Sequence, residues 1–235
     1  GEGSVPMPRP NTADERRAEI LAAAIRVLAR EGLGEATTRK IAAEAGVNQA
    51  MLAYYFGSKD DLLFAVLQEM MRATGEIVRA ALPADVGLAD AVAGSLTAYW
   101  AHVEAEPELE ILQYELTLYA LRRPESAWLA RQQYDGYAAV VETLIADAFA
   151  AAGAPRPVSA ASLSRFLIAG LDGLILQFIS DRDTARARRD LGLLIEAVGA
   201  LAGVREQNAT PESTEATQKH GDMSEVGLAS ETRVR

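Results

Sequence analysis

Apolar residues recur at three- and four-residue spacing through most of the chain. Ile20, Leu21, Ala24, Ile25 and Leu28 form one stripe. Leu163, Phe166, Leu167, Gly170, Leu171, Leu174, Ile175 and Phe178 form a longer one, and Leu191, Leu194, Ile195, Val198 and Leu201 a third. This period puts side chains on one face of an α-helix, whereas a half-buried strand alternates at every second residue. No such alternation of useful length occurs, and no internal repeat stands out. The pattern predicts an all-α protein.

Helix start and stop signals divide the pattern into elements. Thr12 and Glu15 have the spacing of a capping box, so the first helix starts at Thr12, and Gly32 and Gly34 end it. Two short helices, over about 38–45 and 49–55, flank Gly46. Ser58 and Asp61 form a second capping pair, which opens a long helix with Asp60 and Asp61 at its positive end. Further helices are expected near 85–105, 107–122, 125–152, 159–181 and 184–202, with breaks at Pro83/Gly87, Pro107, Pro124, Gly153–Pro157 and Asp181–Asp183. Residues 1–11 carry Pro6, Pro8 and Pro10 without an apolar period and read as a disordered arm. Residues 204–235 are polar and read as a disordered tail. Between them lie a small module, 12–58, and a larger helical domain, 59–203.

Composition narrows the classes. Hydrophobic residues make up 49% of the 235, enough for a sizeable core. There is no cysteine, hence no disulfide or thiolate chemistry, and two histidines, His102 and His220, do not suggest a metal site. No apolar run reaches the ~18 residues of a membrane span, and no charged segment followed by an apolar stretch opens the chain, so a cytoplasmic protein without membrane contact is expected. The net charge of −10 argues at first against nucleic acid. Residues 1–60, however, hold eight acidic and eight basic side chains, so the deficit lies wholly beyond them. A local basic face is what DNA binding requires.

The informative stretch runs from Thr37 to Lys59: TTRKIAAEAGVNQAMLAYYFGSK. Two helices this short cannot stand alone and must pack on the first through Ile41, Ala45, Val47, Leu52 and Phe56. Gly46 suits the left-handed backbone of a tight turn, which leaves the start of the second short helix free to enter a major groove. Asn48, Gln49, Ala50 and Met51 are the side chains presented there. Glutamine can pair bidentately with adenine, and small or apolar groups can touch a thymine methyl. Arg39 suits a guanine edge or a phosphate. Thr38, Tyr54, Tyr55 and Lys59 can donate to phosphates, next to the anion-binding N-terminus of the long helix.

This segment resembles the TetR family of bacterial transcriptional repressors, over about Ile20 to Leu67, through the pattern T-T-R-K-I-A, A-G-V, Y-Y-F and S-K in order. The resemblance implies a three-helix DNA-binding domain. It puts Arg39, Gln49, Ala50 and Met51 at base-reading positions and Thr38, Tyr54, Tyr55 and Lys59 at phosphate-contacting ones. Two positions depart from the family pattern: Ala53 stands where an aromatic residue is usual, and Ala50 where Gly or Pro is usual.

The resemblance also implies that the larger domain binds an effector and forms a homodimer through its last two helices. Phe166, Gly170, Leu174, Phe178, Leu191, Ile195 and Val198 are the candidates for that interface, with the protomer's own core as the alternative use of the same stripes. Tyr99, Trp100, Gln113, Tyr114, Trp128 and Tyr134 are candidates for an effector pocket, since apolar rings with a few polar tips are what a pocket and an ordinary core both contain. Asp172, inside an apolar run, is either a buried structural hydrogen-bonding group or a polar group of the pocket. The expected partners are a palindromic DNA operator, a second copy of the chain and a largely apolar small molecule. The alternative is a DNA-binding dimer with no small-molecule effector. No nucleophile elbow, glycine-rich phosphate loop, metal set or close carboxylate pair in an apolar setting is evident, so neither catalysis nor a cofactor or metal is expected.

Overall fold

A computed structural model of the chain describes residues 12–81, 87–152 and 157–203. The arm 1–11, the tail 204–235 and the breaks around Pro83 and Gly153 to Pro155 lie outside the described residues. Among the described residues all regular structure is helical: α1 (Ala13–Glu31), α2 (Thr38–Glu44), α3 (Gln49–Phe56), α4 (Lys59–Ala80), α5 (Leu88–Ala105), α6 (Pro107–Leu121), α7 (Trp128–Ala152), α8 (Ala160–Asp181) and α9 (Thr184–Leu201). These bounds follow the spacing and the caps closely. Both capping boxes form: Thr12 accepts from the Glu15 N–H and Ser58 from the Asp61 N–H, each answered by the carboxylate reaching back. Gly46 has φ +67°, the left-handed turn that reverses the chain between α2 and α3.

The apolar faces assemble into two cores. Ile20, Val27 and Leu28 of α1, Ile41 of α2, Leu52 and Phe56 of α3 and Leu62, Leu63, Val66 and Leu67 of α4 are buried together. That core continues into Leu112, Leu116 and Ala120 of α6 and Leu129 of α7. The N-terminal module, α1 to α3 with the start of α4, is therefore seated on α6, and each fully buried Leu or Ile stabilises the seat by roughly 1.5–3 kcal/mol. The second core joins α5, α7, α8 and α9 through Leu96, Trp100, Val103, Ile145, Leu163, Leu167, Phe178, Leu191 and Val198. Helices α8 and α9 approach closely at Gly170, where a Cβ would stand 2.6 Å from a Leu194 Cδ atom.

Helix α4 belongs to both halves. Its first turns complete the first core, and Ile77 near its end packs on the second. By length and composition alone helix α8 is apolar enough to cross a membrane, although Arg165 and Asp172 interrupt its apolar run. In this fold its Leu163, Leu167, Ile175 and Phe178 are buried in the second core, while Phe166 and Leu176 remain exposed.

Candidate DNA interface and effector cavity

The helix-turn-helix presents the expected surface. The Asn48 carboxamide caps α3 by accepting from the Met51 N–H at 2.7 Å, which fixes the first turn. Leu52 and Phe56 anchor the inner face, so Gln49, Ala50, Met51, Ala53 and Tyr54 face outward. Tyr54 is 83% exposed, the highest figure for any large apolar side chain described. Tyr55 is half-buried against the first core and meets the Tyr54 ring edge-on at 5.3 Å. Its side chain thus positions Tyr54 as well as offering its hydroxyl.

The charges around this surface are already sorted. Lys40 is held by Glu31 at 2.6 Å and Glu44 by Arg26 at 3.0 Å. These pairs hold Glu31 and Glu44 below the usual carboxylate range through the hydrogen bonds from Lys40 and Arg26. Arg39 and Lys59 are exposed and have no ion-pair partner among the described residues. Arg39 and Lys59 are thus two uncommitted cations of this module, while Glu31 and Glu44 are paired with Lys40 and Arg26. Thr38 is half-buried at the start of α2, and Lys59 is the first residue of α4, where the helix N-terminus adds anion affinity.

The larger half encloses a cavity of about 330 Å³ between α4, α5, α6, α7 and α8. Its walls are mainly aliphatic, with Val92, Leu96, Val141, Ile145, Leu167 and Ile175 among them. The polar residues among its walls are Thr74, Ser95, Tyr99, Gln113, Tyr137 and Asp172. Ser95 is 8% exposed and its Oγ has no hydrogen-bond partner among the described residues. Tyr114 donates to an Asp172 carboxylate oxygen at 3.1 Å, and Tyr134 bonds the same carboxylate. Beside them Tyr99 donates to the carboxylate of Glu110 at 3.2 Å. Burial pushes Asp172 above the ordinary carboxylate range and pushes Glu110 up to about 7, with the Asp172 charge adding to the latter shift. Neither carboxylate has an ion-pair partner among the described residues.

The sequence candidates distribute unevenly over this geometry. Tyr99 and Gln113 line the cavity, and Tyr114 and Tyr134 stand behind it on Asp172. Trp100 does not line it: the ring is 2% exposed, lies 5.6 Å from Phe178 and donates to Glu104, so it joins α5 to the second core. Trp128 is elsewhere, 54% exposed at the start of α7. There it borders a polar-rimmed cleft of about 550 Å³ against Arg17, Tyr55, Phe56 and Asp61. That cleft is the larger, but its charged rim makes it a junction between halves rather than an apolar pocket. The contributions of α4 (Thr74, Gly75, Val78) and the influence of Asp172 on buried Glu110 are not legible in the sequence. The two carboxylates are far apart along the chain, and the only local signal is a charge inside an apolar run.

The dimer candidates split in the same way. Phe178, Leu191 and Val198 are at most 5% exposed and belong to the protomer's own second core. Gly170, Leu174 and Ile195 are half-buried, Gly170 against Leu194. The apolar side chains that α8 and α9 leave exposed are Phe166, Leu176 and Leu193.

Comparison with known proteins accords with this arrangement. Residues 20–66 match the model of the bacterial regulatory proteins of the tetR family, and residues 86–201 match the tetracyclin repressor-like C-terminal domain. The nicotine-responsive transcriptional repressor HdnoR of Paenarthrobacter nicotinovorans is 31% identical over 187 residues, which cover 78% of this chain and 93% of that protein. Among solved structures, the multidrug binding protein EbrR, complexed with imidazole, is 28% identical with a TM-score of 0.58, over 85% of this chain and 93% of its own. A TetR-family regulator from Mesorhizobium loti shares the fold with a TM-score of 0.70 at 16% identity, over 82% of this chain and 98% of its own. The chain belongs to the TetR family of bacterial transcriptional regulators.

Proposed function

We propose that this regulator is a ligand-responsive repressor that binds a near-palindromic operator as a homodimer and releases it when a largely apolar effector fills the cavity. The observation that carries the reading is that α4 and α6 each run from the cavity to the DNA-reading module. Thr74 and Gly75 of α4 line the cavity while Lys59 of the same helix lies beside α3. Gln113 of α6 lines it while Leu116 and Ala120 lie in the core under the module. A ligand lowers DNA affinity only by binding the DNA-incompetent arrangement more tightly, and these two helices are the bodies it would displace. HdnoR responds to nicotine and EbrR binds drugs, which supports an effector role for the cavity here.

Arg39, Gln49, Ala50 and Met51 are assigned to base edges, and Thr38, Tyr54, Tyr55 and Lys59 to phosphates. Phe166, Leu176 and Leu193 are assigned to the dimer face, which replaces the inward-turned Phe178, Leu191 and Val198. Two recognition helices related by a two-fold axis would then enter successive major grooves, roughly 34–36 Å apart. The protein is read as cytoplasmic, without catalytic activity, cofactor or metal. The test is a reporter gene driven by the DNA upstream of this protein's own gene. Expression should fall when the protein is supplied and recover with a cavity-binding compound. A compound that fills the cavity stoichiometrically and leaves repression intact would speak for the effector-free alternative.

A further inference from the structure

The chemistry of the cavity narrows the class of effector. An apolar chamber that sequesters a carboxylate normally supplies a lysine or arginine to balance it, because an unpaired buried charge is costly. Here none is supplied: the residues lining the cavity include no Lys, Arg or His. Asp172 lines it directly, supported only by the hydroxyls of Tyr114 and Tyr134. Glu110 lies behind Tyr99, close enough to Asp172 for the two charges to oppose each other. Ser95 also lines the cavity, and its unpartnered Oγ is itself buried in the wall. The rings of Tyr99 and Tyr137 complete the polar end. A positive charge entering there would meet the Asp172 carboxylate beside tyrosine side chains, with aliphatic walls for the rest of the molecule.

We propose that the effector is a lipophilic ammonium ion, whose N–H groups donate to the Asp172 carboxylate while its apolar body lies along Leu96, Ile145 and Leu167. This rests on the reading of the cavity as the effector site. Three compounds with one skeleton and three charges test it: phenylbutylamine, phenylbutanol and phenylbutyrate, each titrated by calorimetry into the full chain. The amine should bind at least about tenfold more tightly than the alcohol, and the carboxylate more weakly than either. Asp172→Asn keeps an acceptor for Tyr114 and should abolish the amine's advantage over the alcohol. An alcohol or carboxylate that binds as tightly as the amine, an advantage that survives in D172N, or no binding by any of the three overturns the inference.

Release of operator DNA, followed in parallel, separates this inference from the functional reading beneath it. Asp172-dependent amine binding that leaves DNA affinity unchanged supports the cation site and contradicts the effector role. Equal DNA release by the alcohol and the amine supports the effector role and contradicts the cation site.

Discussion

The Tyr119 hydroxyl donates to the Asp60 carboxylate at 2.7 Å. This bond ties the end of α6 to the first turn of α4, one residue from Lys59. Arg123 closes the arrangement: its guanidinium lies 3.6 Å from the centre of the Tyr119 ring and bonds the same carboxylate at 3.2 Å. On the proposed reading, a shift of α6 at the cavity would be passed through this bond to the helix end assigned to phosphate. Tyr119→Phe should cost stability only modestly, about 0.5–1.5 kcal/mol for one partly exposed hydrogen bond. It should leave effector affinity unchanged and weaken the coupling between effector and DNA. The check is the ratio of DNA affinities with and without a cavity ligand; an unchanged ratio in Y119F removes this hydrogen bond from the pathway.

The DNA surface predicts two distinguishable kinds of variant. Gln49→Ala and Arg39→Ala should lower the preference for operator over shuffled DNA, by about 1–3 kcal/mol for each bidentate pairing with a base that the substitution removes. Lys59→Ala should weaken binding to all sequences alike and make the salt dependence shallower by about one unit. Anisotropy titrations at several salt concentrations check both. A change of base preference in K59A without one in Q49A would reverse the assigned orientation of α3.

Association and folding should respond to different residues of the same two helices. Leu193 is 64% exposed, so Leu193→Glu should leave the melting temperature of the protomer almost unchanged and shift sedimentation from dimer to monomer. Phe178 is 3% exposed, and Phe178→Ala should instead lower protomer stability by about 3–5 kcal/mol. A dimer that survives L193E would place the interface elsewhere.

Glu110 makes the pH dependence of stability run opposite to that of a salt-bridged acid. Its carboxyl is pushed up to about 7 by burial. At low pH it is protonated in both the folded and the unfolded chain and contributes nothing. As pH rises from the ordinary glutamate value through 7, the unfolded chain ionises first, so this group progressively destabilises the fold. Glu110→Gln should therefore be nearly neutral at pH about 4 and stabilising by about 2–3 kcal/mol at pH about 8. Denaturant melts at the two values check it; an equal difference at both would show that Glu110 does not titrate in this range.

The helices and the exposed face of α3 can be read from the chain because both are local. A capping pair such as Ser58 and Asp61 states where a helix begins, and Gly46 states where two helices must turn. The spacing of Leu52 and Phe56 decides which side of α3 is left for DNA. What covers an apolar face is not local. The stripe holding Phe166, Leu174 and Phe178 is apolar enough for two partners, and only the packing of α8 on α9 turns Phe178 inward and leaves Phe166 and Leu176 outside. Trp128 opens a helix that lines the cavity, yet the first turn of α7 lies at the junction with the DNA-reading module. The buried carboxylates escape a reading of the chain for the same reason: Asp172 comes near enough to act on Glu110 only because α6 packs on α8.

Sequence-specific DNA binding by a two-fold pair of these helix-turn-helix modules underlies every assignment above. The decisive measurement is an anisotropy titration of the full chain on the DNA upstream of its own gene, against a shuffled duplex of the same composition at physiological salt. The expected result is saturation at two protomers per site, or a multiple of two, with affinity at least about 10³-fold above that for the shuffled duplex. Equal affinity for the two duplexes, or saturation by a single protomer, would refute it.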